Sequence, residues 1–245
     1  MVVTAWVDGR ISADESVASP NAATGRELHD AFLSRIPALT LGLVRARGDA
    51  LAIGSVELLR FGKPEVGRNA VEWPIEGGVL AGAPGGSWRI AATDGRLVAS
   101  IEAYRPALPR PLYSLTQLVM HRLLMRLFLL EMRGRDPAPR ATASATQRRR
   151  AASIDIALCA TLAGVMRRPP KPVTLLGIAA AYHVACWSIT GRTLGGMVTG
   201  QRVVAVDGSK LSVTQSMLRL AAIPLSWMRG TPIHDQIACT EVVID

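Results

Sequence analysis

Residues 172–191 read PVTLLGIAAAYHVACWSITG: 20 residues with no Asp, Glu, Lys or Arg, closed off by Lys171 and Arg192. A helix rises 1.5 Å per residue, so about 20 residues cross the hydrocarbon of a bilayer. Just upstream, AASIDIALCATLAGVM (151–166) adds 16 residues after Arg148, Arg149 and Arg150 and before Arg167 and Arg168. Its only charge is Asp155. As a helix it measures about 24 Å, short enough to need snorkelling Arg side chains or local thinning. Two buried helices of a soluble all-α domain are the alternative. The flanking charges, with one Asp between them, favour two membrane spans.

RRPPK at 167–171 joins the two segments. So tight and Pro-rich a connection predicts an antiparallel hairpin. Six Arg at 133–150 with Arg192, Arg202 and Lys210 stand on one side, against Arg167, Arg168 and Lys171 on the other. The positive-inside rule then places the N-terminal part in the cytoplasm. A third stretch, LSVTQSMLRLAAIPLSWM (211–228), carries Arg219 at its middle and Pro224 in its second half. A charge at mid-membrane costs roughly 3 kcal/mol. The stretch is therefore read as interfacial or re-entrant, with a third span left open.

The rest of the chain follows from its charge. The 245 residues hold 28 Lys+Arg and 19 Asp+Glu, a net charge of +9. Residues 1–131 carry only +1 of it, and MRGRDPAPRATASATQRRR (132–150) carries +5. That Ala/Ser/Pro-rich stretch lacks apolar periodicity and reads as a linker over 133–150. A basic collar beside apolar segments orients an anchor, so no nucleic-acid partner is expected. The bilayer is the expected partner. Three Cys exclude a disulfide-built secreted fold, and MVVTAWVDGR lacks the basic start and unbroken apolar run of a signal peptide.

Residues 1–132 read as an α+β domain. A helix is predicted from Thr24 to Ile36, with Leu28, Phe32 and Ile36 on one face and Pro37 ending it. Short apolar runs follow, ALTLGLV, ALAIGSVELL, AVEWPI, SWRIAA and RLVASIEAY, separated by turn signals. They predict about five antiparallel strands. A long helix is predicted over 112–132, with Gln117, His121, Arg122 and Arg126 gathered on its polar side. A sheet wrapped on such a helix either holds a lipid-like or other small ligand or has a filled core. The Gly-rich EGGVLAGAPGG (76–86) lacks the G-K-[ST] ending of a phosphate loop and reads as a pair of turns. QRVVAVDGSKLS (201–212) reads as a hairpin turning at Asp207-Gly208.

Three blocks of the C-terminal part, RRRAASID (148–155), TGRTLGGMVTGQRVVAVDGSKLSVTQSMLRL (190–220) and RGTPIHDQIACTEVV (229–243), resemble the RDD family of bacterial membrane proteins. The resemblance covers about residues 148–243. It implies a bacterial inner-membrane protein with a helical membrane domain at 151–245. It makes Arg148, Asp155 and Asp235 the counterparts of the Arg and two Asp for which the family is named. The family's activity is poorly defined, and transport has been suggested for it. The N-terminal half resembles extensions joined to such domains.

The polar residues give the candidate site. Asp155 lies roughly 7–8 Å into its helix from Arg150. It serves either as an edge carboxylate paired with Arg148 or Arg149, or as a cation or proton site. Arg219 is its expected partner, because an unpaired membrane charge is costly. His183 is the deepest ionisable group of the second segment, read as a packing residue or a proton carrier. His234 adjoins Asp235 as a lone pair. Cys159, Cys186 and Cys239 lack metal-ligand spacing, and no GxSxG or HExxH occurs. The chain is read as a non-enzyme without cofactor or metal, acting in transport or membrane-linked ligand sensing. A membrane-tethered binding module for a lipid or small molecule is the alternative, and a homo-oligomer is allowed.

Overall fold

The computed structural model describes residues 4–166 and 171–245. They divide into two units at Gly134/Arg135.

The first unit begins with a hairpin, β1 (Thr4–Val7) and β2 (Arg10–Ala18), that the sequence reading did not anticipate. Its turn is Asp8-Gly9, with φ 49° and 72°, the pair best suited to two left-handed positions. β2 buries Ile11, Ala13, Glu15 and Val17, the alternation of a half-buried strand. Helix α1 (Gly25–Leu39) starts at a reciprocal Thr24–Glu27 capping box and buries Leu28, Phe32 and Ile36. It continues past Pro37, where the N–H and hydroxyl of Thr40 both donate to the Ile36 carbonyl.

The remaining strands are β3 (Arg45–Arg47), β4 (Ala50–Ile53), β5 (Val56–Phe61), β6 (Glu65–Val66), β7 (Ala70–Gly77), β8 (Ser87–Thr93) and β9 (Arg96–Tyr104). The sheet therefore has nine strands, not about five, in the order β1-β2-β9-β8-β7-β5-β4-β3, with β6 on β7. Two differences explain the count. ALAIGSVELL is a hairpin of two strands turning at Gly54-Ser55, and ALTLGLV is helix end and turn, with β3 only at 45–47. Every pairing is antiparallel, and the last strand closes beside β2.

The long helix expected at 112–132 is two pieces, α2 (Arg110–Leu115) and α3 (Gln117–Arg133), broken at Thr116. α1 and α3 pack on the sheet. Phe32, Phe61, Trp73, Trp88 and Phe128 fill the space between, with ring centroids 4.9–6.3 Å apart.

The second unit corrects the reading of 133–150 as a linker. Residues 141–143 run beside the last strand: the Ala143 N–H donates to the Val242 carbonyl (2.8 Å), and Ala141 accepts from Ile244 (2.9 Å). Arg135 pairs with Glu241 at 2.9 Å. From there the chain is helical. α4 (Ala145–Met166) takes in Arg148, Arg149 and Arg150. It starts at a second capping box, in which Ser144 accepts from the Gln147 N–H and Gln147 from the Ser144 N–H. The connection at 167–170 lies outside the described residues.

α5 (Pro172–Ile189) follows, then α6 (Leu194–Val198), β10 (Gln201–Ala205), α7 (Val213–Ala221), α8 (Ile223–Arg229), α9 (Ile233–Ile237) and β11 (Thr240–Ile244). Among the described residues only α5 is long and apolar enough to cross a membrane, with mean hydropathy 1.4 over 18 residues. The second span expected at 151–166 does not meet that measure, since α4 carries three Arg and Asp155. The stretch 211–228 is two short helices meeting at Ala222, each shorter than a span needs. β10 pairs with β11, not with 209–212, so Asp207-Gly208 turns the chain without building the expected hairpin. The bond goes to Thr240–Ile244 because TEVVI offers a β-branched strand where KLS does not.

Candidate functional site

Three of the four leading candidates meet around one carboxylate. Asp235 lies on α9 and is buried. Its Oδ1 accepts from Arg219 Nη2 at 2.8 Å and Nε at 3.2 Å, and from Thr240 Oγ1 at 2.8 Å. Its Oδ2 accepts from Arg148 Nη1 at 2.7 Å. The chain brings these together from four elements: the first turns of α4 and α9, the last turn of α7 and the start of β11. Arg219 is buried against the Trp187 ring, its guanidinium 4.5 Å from the centroid. Arg148 also donates to the Ala143 carbonyl at 3.1 Å, and Gln215 of α7 to the Ala238 carbonyl at 2.7 Å.

The electrostatics follow. Burial on its own pushes the Asp235 carboxyl up, but Arg219, His234, Thr240 and Arg148 together hold it below its ordinary 3.8. Burial draws the Arg219 guanidinium down from its ordinary value, and Asp235 opposes that pull. His234 lies 3.5 Å from Asp235 and shares a 2.7 Å bond with Ser226 Oγ. Burial first, then Arg219, holds its pKa low, so it adds no charge at neutral pH. A carboxylate so enclosed by two guanidinium groups acts as a lock between elements. It has no room for a cation.

Asp155 is elsewhere, and this corrects its expected pairing with Arg219. Its Oδ1 accepts from Tyr182 Oη and from the Gly195 N–H, both at 2.8 Å. Tyr182 Oη in turn accepts from the Leu194 N–H at 2.6 Å. Arg219 does not reach it because α7 directs that side chain to α9 and β11. Nor does Asp155 pair with Arg148, which Asp235 takes. α6 approaches α4 closely: a Cβ on Gly195 would stand 2.1 Å from the Ala151 carbonyl oxygen. Within GRTLGGMVTG the short helix α6 is thus packed on α4, with the Thr193 side chain accepting from the Gly196 N–H at its start.

His183 joins neither cluster. Its Nδ1 bonds the Ala179 carbonyl of its own helix at 2.8 Å, and its ring lies 5.1 Å from those of Tyr182 and Trp187. An Asp155–His183 relay does not form, since Tyr182 occupies the place beside Asp155. Tyr182, Trp187, Thr240 and Gly195 are members the sequence reading missed. Tyr182 had one available signal, since a Tyr hydroxyl in an apolar segment needs a partner.

The first unit has a polar group of its own between sheet and helix. Among the described residues, Trp88 Nε1, Gln117 Oε1 and Arg122 Nε are buried without a hydrogen-bond partner. The His121 ring lies 4.8 Å from Trp88, and its pKa is pushed down to about 4 by burial and then Arg122. Tyr104 donates to the Leu80 carbonyl and accepts from Gln117 at 3.0 Å.

Comparison with known proteins bears on the second unit. Residues 172–240 match the family model described as RDD family. The match includes Arg219, Asp235 and Thr240, and it begins after Arg148 and Asp155. It agrees with the resemblance read from the C-terminal sequence blocks. No curated protein and no solved structure matches the chain. The match of this part to the RDD family model suggests a membrane protein of undefined function.

Proposed function

We propose that the chain is an integral protein of a bacterial inner membrane, inserted by α4 and α5 as an antiparallel two-span hairpin, with the first unit in the cytoplasm. The observation that carries this reading is the outward apolar surface of the two helices. Ile156, Leu162 and Val165 of α4, and Val173, Leu176 and Ile189 of α5, are all exposed, and only 6% of the α5 window is buried. Water disfavours such a surface and lipid accepts it. α4 spans by snorkelling Arg148–Arg150 at one end. The Arg148–Asp235–Arg219 lock then belongs to the cytoplasmic edge, where charge is tolerated.

The activity supported best is transport, or ligand sensing, through Asp155. It is the only carboxylate of the two helices, and a Tyr hydroxyl and a backbone N–H already orient it. A homo-oligomer supplies the further helices that a pathway needs. Alkaline carbonate extraction tests insertion, and a chain released into the supernatant refutes it. Cysteine accessibility at positions 169, 207 and 240 in intact cells tests orientation. Cation and proton flux into vesicles of wild type and Asp155→Asn tests transport: flux is expected to fall, and equal flux removes that activity.

One observation favours a second reading, a membrane-tethered binding module. The unpartnered Trp88 Nε1, Gln117 Oε1 and Arg122 Nε suit a small polar ligand better than a lipid chain, since aromatic rings fill the core beside them. Native mass spectrometry of the full chain in mild detergent shows a bound small molecule if this holds. A ligand-free spectrum from freshly isolated membranes removes it.

A further inference from the structure

The break between α2 and α3 leaves an apolar surface uncovered. Tyr113 and Leu118 point inward and are buried. Leu112, Leu115, Val119 and Met120, within nine residues of chain, are exposed, Leu115 by 76%. The Thr116 backbone, at φ −120° and ψ −77°, interrupts the helix between the two pairs. A soluble unit rarely exposes so many large apolar side chains together.

The surface is built, not frayed. The loop 78–82 is stitched to the segment before α2: the Gly82 N–H donates to the Arg105 carbonyl (2.9 Å) and the Ala107 N–H to the Leu80 carbonyl (2.9 Å). Gln117 and Tyr104 link α3 to the same loop. That loop adds exposed Val79 beside the bend.

The exposed charges of the segment that carries it are basic. Residues 103–130 contain Arg105, Arg110, Arg122 and Arg126 and no Asp or Glu, but Arg126 is paired with Glu15 at 3.1 Å and Arg122 donates to Thr4, which leaves Arg105 and Arg110 as the exposed charges. Arg105 and Arg110 are exposed on the approach to α2, with Arg110 lying over the Trp6 ring at 5.2 Å. Exposed apolar side chains flanked by Arg105 and Arg110 fit the headgroup and upper acyl region of an anionic leaflet.

We propose that the α2–α3 bend is a docking surface by which the first unit rests on an anionic bilayer. The proposal goes beyond the anchor reading and rests on it only in supplying the nearby bilayer. Leu112, Leu115, Val119 and Met120 enter the interface, and Arg105 and Arg110 meet lipid phosphates. Only the first turns of the long helical segment take part, since Met125 and Leu127–Leu130 are buried in the core.

The full chain in vesicles tests it. Leu115→Cys is labelled with a water-soluble, environment-sensitive fluorophore, with wild type as background because Cys159 and Cys239 are buried and Cys186 half-buried. Leu43→Cys, beyond α1 at the opposite edge of the sheet, is the control. In phosphatidylcholine vesicles with 30% phosphatidylglycerol, emission at 115 shifts to the blue and emission at 43 does not. Arg105→Glu with Arg110→Glu reduces the docked fraction by roughly tenfold, and high salt does the same. The idea is overturned by no shift at 115, by an equal shift at 43, or by a shift indifferent to charge reversal and salt. It is also overturned by a shift that follows protein density in pure phosphatidylcholine, which makes a second copy the occupant. If carbonate strips the chain but position 115 still shifts when the protein is added to anionic vesicles, the anchor fails and docking stands.

Discussion

Asp235→Asn removes one negative charge, keeps the side-chain shape, and tests whether the Arg148–Asp235–Arg219 cluster holds the second unit together. The loss can be worked from burial. Arg219 and Asp235 side chains are only 5% and 7% exposed, so the substitution strands a guanidinium that water cannot reach. Breaking such a pair from one side costs about 3–5 kcal/mol. Arg148 is 28% exposed and regains solvent, so its share is about 1 kcal/mol or less. A total of about 4 kcal/mol, at about 4 °C per kcal/mol for a unit of this size, lowers Tm by roughly 15 °C. The readout is thiol labelling of detergent-solubilised chain on heating, because Cys239 is buried beside Thr240. Glu57→Gln, which breaks an exposed pair with Arg60, is the control and moves Tm by about 2 °C or less. Adding Arg219→Met to Asp235→Asn recovers part of the loss, since the stranded charge is the main cost. A single Asp235→Asn variant melting within about 2 °C of wild type refutes the lock.

Three further outcomes are expected. His121 titrates at about 4 in the folded unit against an ordinary 6.5, so only the unfolded chain takes up the proton in between. Stability of the first unit therefore falls as pH drops from 6.5 to 4, by about 2 kcal/mol after allowing for partial exposure. Urea melts at pH 7 and pH 5 check this, and His121→Gln flattens the difference. Gly195→Ala forces α6 from the Ala151 carbonyl and costs about 1–3 kcal/mol, whereas Gly177→Ala, whose Cβ meets nothing within 4 Å, leaves thiol-detected Tm unchanged. A chain starting at residue 172 retains the whole family match but loses Arg148, Ala151 and Asp155. Its Cys239 is expected to label without heating, and protection equal to wild type would contradict that.

Sequence reached different parts of this molecule unequally. The turn pairs and the apolar alternation of β7, β8 and β9 gave those strands nearly to the residue, because antiparallel pairing is local. β1 and β2 are less legible, because Asp8 reads as a break in an apolar run until its Asp-Gly turn is seen in the fold. β11 was hidden for a different reason. Its partner β10 lies 35 residues earlier, and no local periodicity encodes that choice. The start of α4 was legible and missed: Ser144 and Gln147 satisfy the capping-box spacing inside a stretch that composition marked as linker. Arg148 and Asp235 were recognised as important without their partnership being visible. A carboxylate finds its guanidinium through the fold, and 87 residues separate these two.

The placement of the two acidic residues shows what α4 is for. Asp155 reaches outward from α4 to hold the Gly195 N–H, while Arg148, also on α4, holds Asp235 from the far end of the chain. The segments so tied are short: α6 and α9 are five residues each, too short to be stable by themselves. Packing cannot compensate where Gly195 and Gly196 contribute no side chain. Charge-assisted bonds to a 22-residue helix supply the missing fixation. The same logic accounts for the early start of α4. A helix beginning at residue 151 would satisfy the apolar segment, but it would leave Arg148 on a flexible strand where holding Asp235 costs more conformational entropy. Extending α4 back to Ala145 fixes Arg148 one turn before the apolar segment, so the lock and that segment are parts of one helix.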